Sequence, residues 1–119
     1  MTNPIVQWQV ITQDPAKHSA FYGELFGWTI DADNPMAYRQ TKIGDADGID
    51  GGFWPAPEGT SPFVQLYVRV DDVRATFERA VEMGCSPIAP PQDLPDGVTL
   101  AILHDPQGMS FGLTSAPAS

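Results

Sequence analysis

A chain of 119 residues that is 42% hydrophobic can bury one ordinary core, and its 15 acidic against 6 basic side chains leave a net charge of −9. That balance, with the few Lys and Arg scattered, argues against nucleic acid and against an anionic membrane as partners. A single cysteine, Cys85, excludes an intrachain disulfide and a cysteine-based zinc site within one chain, and reads as a buried structural thiol.

Residues 5–12 alternate as a strand, with Val6, Trp8 and Val10 on one face and Ile5, Gln7, Gln9 and Ile11 on the other. A helix over 15–26 follows. Asp14 is its N-cap, Pro15 fits its first position, and Gly27 supplies the left-handed stop. His18, Phe21, Tyr22, Leu25 and Phe26 form its apolar stripe, which should pack on a sheet. Strands are expected over 28–32, 36–43 and 49–54, with turns at Asp33-Asn34-Pro35 and Gly44–Gly48. Gly51-Gly52 weakens the third of these strands and marks a bulge or a close approach to the backbone. Residues 55–62 hold three prolines and a glycine and read as a linker without regular structure.

The pattern then restarts. Residues 63–70 read as a strand, with Val64, Leu66, Val68 and Val70 on one face and Phe63, Gln65, Tyr67 and Arg69 on the other, the uncovered cleft face. Asp72 repeats the role of Asp14. The second helix carries Val73, Phe77, Ala80 and Val81 as its stripe and ends at Gly84. Short strands follow at about 85–89, 98–104 and 109–114. Pro90, Pro91, Pro95 and Asp96-Gly97 form the first loop, and Asp105-Pro106-Gln107-Gly108 the second. The chain thus reads as an α+β domain of two tandem βαβββ modules, residues 4–54 and 63–114, whose sheets pair to enclose a cleft.

Neither histidine pairs with a nucleophile in the sequence, so no Ser–His–Asp triad is read here. His18 lies on the helix layer, and His104 ends a strand. The acidic stretch Asp45–Asp50 fails the EF-hand pattern, because Ile49 replaces a ligand and the terminal Glu is missing. Gly51-Gly52 lacks the rest of a phosphate loop. No apolar run approaches the ~18 residues of a membrane span. The N-terminus lacks the basic and apolar regions of a signal peptide, so a cytoplasmic location is expected.

The first strand, Asp14-Pro15, Phe21-Tyr22, Phe26-Gly27-Trp28, Gly51-Gly52, Val70-Asp71-Asp72-Val73, Gly84 and Asp105-Pro106-Gln107-Gly108 with Phe111 together resemble the vicinal oxygen chelate superfamily. That group includes glyoxalase I, extradiol dioxygenases, fosfomycin resistance enzymes and bleomycin-binding proteins. The resemblance implies four metal positions, on the first and last strand of each module. They fall on Gln7, on one of Asp50, Gly51 and Gly52, on Gln65, and on Gly112. Two neutral amides and a glycine make a poor set for a divalent cation, so no cofactor is expected there and a metal is the lesser alternative.

The expected ligand site holds Gln7, Gln9, Gln65, Tyr67, Arg69 and Trp54, with Tyr38, Ser110 and Thr114 beside them. Ordinary polar residues on a solvated sheet face are the competing reading. The functional expectation is a metal-independent, glyoxalase- and bleomycin-resistance-like protein that binds a small organic molecule, cationic or aromatic, in the cleft. The alternative is an enzyme of the superfamily, a lyase or isomerase or a dioxygenase-like one, with a divalent metal in a degenerate site. The resemblance also implies a homodimer.

Overall fold

The computed structural model describes residues 2–34 and 38–115. The elements run β1 (Ile5–Thr12), α1 (Pro15–Phe26), β2 (Thr29–Asp31), β3 (Arg39–Lys42), β4 (Gly51–Pro55), β5 (Phe63–Arg69), α2 (Val73–Glu82), β6 (Ser86–Asp93), β7 (Thr99–His104) and β8 (Ser110–Thr114). This is the α+β, twice-repeated βαβββ order read from the sequence. By contacts the chain falls into two compact units. One is Gln7–Gln65, and the other joins the residues up to Val6 with those from Leu66 onward. Of the expected strand over 36–43, Met36 and Ala37 lie outside the described residues, as does Pro35 of the preceding turn.

In the first unit the strand order is β2-β3-β4-β1, with β1 parallel to β4 and the others antiparallel. The Asp14 carboxylate accepts the Lys17 N–H at 3.0 Å, and Gly27 closes α1 at φ 74°. Such a cap stabilises a helix by ~1 kcal/mol.

The helix does not bury the expected stripe. Phe21, Leu25 and Phe26 are 58%, 59% and 56% exposed, and the buried residue of α1 is Ser19. The reason is the size of the residues on the inner arc. Ser19 and Gly23 stand one turn apart and let the helix approach the strands closely. A side chain at Gly23 would press on the Trp28 carbonyl and on Ile30. His18 and Tyr22 flank that arc and are half-buried, while Phe21 and Leu25 are rotated out. Small residues carry little hydrophobic signal, so the inner row of α1 does not stand out in the sequence as the bulky row does.

What fills the layer is an aromatic cluster around Tyr22. Its ring lies 5.8 Å from Trp28, 5.4 Å from His18 and 6.1 Å from the buried Phe53, and Trp8 meets Phe53 edge-on at 5.9 Å. Contacts of this kind add to the burial of ring area. Thr12 Oγ1 pairs with His18 Nδ1 at 3.0 Å, which fixes the imidazole in the helix layer.

In the second unit the order is β5-β8-β7-β6, with β5 parallel to β8 and the others antiparallel. Asp72 caps α2 through the Ala75 N–H at 3.0 Å. Val70, Val73, Ala101, Leu103 and Leu113 form the core, with Phe77, Ala80 and Cys85 packed on it. Val81, expected on the inner face, is 38% exposed.

Two further expectations are corrected. Strand β6 runs through Pro90 and Pro91 instead of ending at 89. It is an edge strand bonded to β7 alone, and its pairing shifts register between Pro87 and Ala89 and again between Ala89 and Gln92. Edges and bulges are where a sheet accepts proline. On β5, Val64 and Leu66 are 59% and 43% exposed, whereas Gln65 and Tyr67 are each 2% exposed. The face read as open is the enclosed one at those two residues.

Because Phe21 is 58% exposed and touches the cluster only edge-on at Tyr22, Phe21→Ala should cost ~1 kcal/mol or less in urea denaturation. Tyr22→Ala, which empties the centre of the ring cluster, should cost ~2 kcal/mol or more. Equal losses would contradict the inner arc drawn here.

Candidate functional site

In β1 the side chains alternate, so Trp8 turns toward Trp28 and Phe53 and leaves Gln7 and Gln9 on the opposite face. Gln9 stands opposite Gly52 in the parallel pairing. Gly52 and Trp54 share that face of β4 with the two amides. A Cβ on Gly52 would collide with the ring and hydroxyl of Tyr38, so glycine is what lets Tyr38 lie flat on the strand. Gly51 points the other way and is covered in the same manner by Trp8.

Tyr38 is held from two sides. Asn34 Oδ1 accepts the Tyr38 N–H at 2.9 Å, and Asn34 Nδ2 donates to the Tyr38 carbonyl at 2.6 Å. The Gln7 amide donates to the phenol oxygen at 3.1 Å, and Gln9 also hydrogen-bonds it. The Tyr38 and Trp54 rings lie 5.8 Å apart, tilted by 57°. Gln7, Gln9, Tyr38 and Trp54 are all half-buried, so each presents part of its surface to solvent. Burial raises the phenol's pKa above its ordinary 10.0, and the two amide bonds pull it partly back down.

The second unit repeats the frame with different contents. Tyr67 stands opposite Gly112, and its ring lies where a Gly112 side chain would project. Tyr67 is enclosed, as is Gln65, the last residue of the first unit. Arg69 is exposed and borders a hollow of about 350 Å³ with Thr2, Asn3, Pro4, Asp71 and Ser115. Thr114 is buried and bonds the Ser115 carbonyl, and Ser110 pairs with His104 across β7 and β8.

The repeat relates one residue of 50–52 to Gly112. Gln9 and Tyr67 each stand two residues after the glutamine of the first strand. Their partners across the ladder are Gly52 and Gly112. Gly52 is thus the ladder equivalent of Gly112, and Gln7 of Gln65. Asp50 precedes β4 and accepts the Ile43 N–H at 2.9 Å in the turn. Two amides and two glycines under aromatic rings do not fit a divalent cation. Among the described residues no group of three or more His, Cys, Asp or Glu is placed to hold one either.

Sequence reasoning named Tyr38 only beside the main set and passed over Asn34. The usable signal was Asn34 four residues ahead of an aromatic, with a glycine pair on the next strand. Among the described residues, no helix is long and apolar enough to cross a membrane.

Gly112→Ala should cost about 1–3 kcal/mol, because the buried Tyr67 ring has nowhere to go. Gly52→Ala should cost less, because Tyr38 is half-buried and loses less packing than the enclosed Tyr67 when displaced. Denaturation midpoints of both variants check the ranking. The raised phenol pKa gives a second expectation. The native chain keeps the Tyr38 proton at pH values where the unfolded chain, with its pKa near 10.0, releases it. The native state then binds more protons, so this contribution to stability falls as pH rises past that value. Tyr38→Phe should show a shallower alkaline loss than the wild type, and identical slopes would remove the effect.

The glyoxalase-like domain family model matches residues 7–114. The protein named "Putative glyoxylase CFP32" from Mycobacterium bovis is 34% identical over 112 residues, covering 88% of this chain and 42% of that protein. The chain thus spans about two fifths of the length of the curated relatives it matches. Among solved structures, a hypothetical protein from Bacillus halodurans superposes with a TM-score of 0.72 at 14% identity, covering 100% of this chain and 98% of that one. A glyoxalase/bleomycin resistance protein/dioxygenase superfamily member from Vibrio splendidus superposes with a TM-score of 0.65 at 16% identity, covering 97% and 100%. The structural likeness speaks for the fold, and the family match, which takes in nearly every element from β1 to β8, shows that the chain belongs to the glyoxalase-like domain family.

Proposed function

We propose that this glyoxalase-like domain binds a small organic molecule through amide, phenol and aromatic groups, with no metal at the positions its relatives use. The observation that carries the reading is the Tyr38 hydroxyl lying over Gly52, bonded by Gln7 and Gln9 and walled by Trp54. A few placed polar groups beside aromatic surface are what a small-molecule site needs. Gln7, Gln9 and Trp54 are the ligand contacts in this reading, and Tyr38 joins them. The net charge of −9 favours cationic or neutral ligands over anions at long range.

The 34% identity to a protein named as a glyoxylase favours a second reading, in which the domain is an enzyme. In that case Tyr38 is the group placed to polarise a substrate carbonyl.

Metal content tests the metal-free part of the first reading, and turnover in glyoxalase and dioxygenase assays separates binding from catalysis. The protein is stripped and offered Ni, Zn, Mn, Fe and Mg, and metal content and melting temperature are followed together. The proposal expects no stoichiometric metal and no shift. Stoichiometric metal with a raised melting temperature would overturn it and favour the enzyme, to be pursued by glyoxalase and dioxygenase assays.

A further inference from the structure

We infer that the Tyr38 hydroxyl is the donor that grips a ligand oxygen, and that the ligand is a neutral aromatic carbonyl compound whose ring packs on Trp54. This rests on the small-molecule reading above and names its ligand class. Four observations in the first unit support it.

The first is direction. Gln7 Nε2 donates to the phenol oxygen at 3.1 Å. An oxygen that accepts from an amide keeps its own O–H to give onward. An acceptor oxygen is thus the partner that completes the group.

The second is rigidity. Asn34 fastens both the N–H and the carbonyl of Tyr38, and the missing side chain at Gly52 lets the ring lie on the strand. A donor fixed in this way loses little freedom when it binds. The third is the wall. Trp54 is half-buried and its ring centre is 5.8 Å from that of Tyr38, so an aromatic body attached to the acceptor oxygen has a surface to cover.

The fourth is charge. A phenol of ordinary pKa 10.0, raised further by burial, is protonated at neutral pH, and the chain carries −9 overall. A carboxylate would approach against that field. A ketone, aldehyde or amide carbonyl accepts the same hydrogen bond without that repulsion.

The test uses acetophenone labelled with ¹³C at the carbonyl. Binding is followed by ligand-observed NMR, and the bound carbonyl stretch by infrared spectroscopy. The wild type is expected to bind it and to shift the stretch to lower wavenumber than in water. Tyr38→Phe keeps the ring over Gly52 and beside Trp54, so it should retain the wild-type melting temperature near neutral pH to within a few degrees. It should bind about tenfold more weakly, the effect of losing one hydrogen bond of ~1.4 kcal/mol. The shifted stretch should also disappear. Trp54→Leu should weaken binding while whatever remains bound keeps the shift.

Equal binding and an equal carbonyl shift in wild type and Tyr38→Phe would overturn the donor role and leave the small-molecule reading standing. Binding of benzoate in preference to acetophenone would overturn the neutral class. No binding of acetophenone, benzaldehyde or benzamide by the wild type would overturn the proposal as a whole. The metal reading is scored separately, by metal content.

Discussion

Aromatic rings lie over glycines at three places in the two last strands of the repeat. Trp8 covers Gly51, Tyr38 covers Gly52 and Tyr67 covers Gly112. A glycine inside a strand costs roughly 0.5–1 kcal/mol in backbone freedom. A large ring brought out of water returns roughly 1.5–3 kcal/mol, so each exchange favours the folded chain. In β4 the two glycines are consecutive and face opposite ways. One seats Trp8 against Phe53 and Trp28 in the core. The other seats Tyr38 among the glutamines. A single Gly-Gly step thus sets both the hydrophobic layer and the polar face of the first unit.

The two modules share a frame and differ in what occupies it. Both have an aspartate cap, and both pair their first strand in parallel with their last. In the second module the covering ring belongs to the strand itself, because Tyr67 stands directly across from Gly112. It is buried and closes that position. In the first module the equivalent strand residue is Gln9, and the ring comes from Tyr38, outside the ladder. The polar groups there remain half-exposed. One difference between repeats, Gln for Tyr, separates a position that is packed shut from one whose polar groups stay half-exposed.

What could be read from the sequence followed from strong local chemistry. Asp14-Pro15 and Gly27 bound α1 at the expected residues, and Asp72 starts α2, because caps act within one turn. Period-two alternation correctly put Gln7 and Gln9 on the face away from Trp8. It failed where burial depends on the neighbouring strand. Nothing in the alternation of β5 says that Tyr67 will be enclosed, since the vacancy that admits its ring belongs to Gly112, 45 residues on. The inner arc of α1 was missed because Ser19 and Gly23 pack by being small. Pro90-Pro91 was read as a loop because edge position is a property of the sheet and not of the segment. Tyr38 was hard to rank because its placement needs Asn34 behind it and Gly52 beneath it at once.

The glycines also bear on how a site of this kind can change. At Gly52, a carboxylate or imidazole able to hold a cation would have to pass through the space of the Tyr38 ring. At Gly112 it would have to displace Tyr67 from a position 2% exposed. Restoring either ligand therefore takes two changes in each module, the glycine and the ring, and the first change alone is destabilising. The remaining positions, Gln7 and Gln65, bring no negative charge to offset a divalent ion. Gln7 is already engaged with Tyr38. A phenol in that position offers less polarising power than a cation. It offers direction, it is loaded at neutral pH without a second component, and burial raises its pKa. In the proposed reading, such a group selects a ligand by the position of one acceptor oxygen.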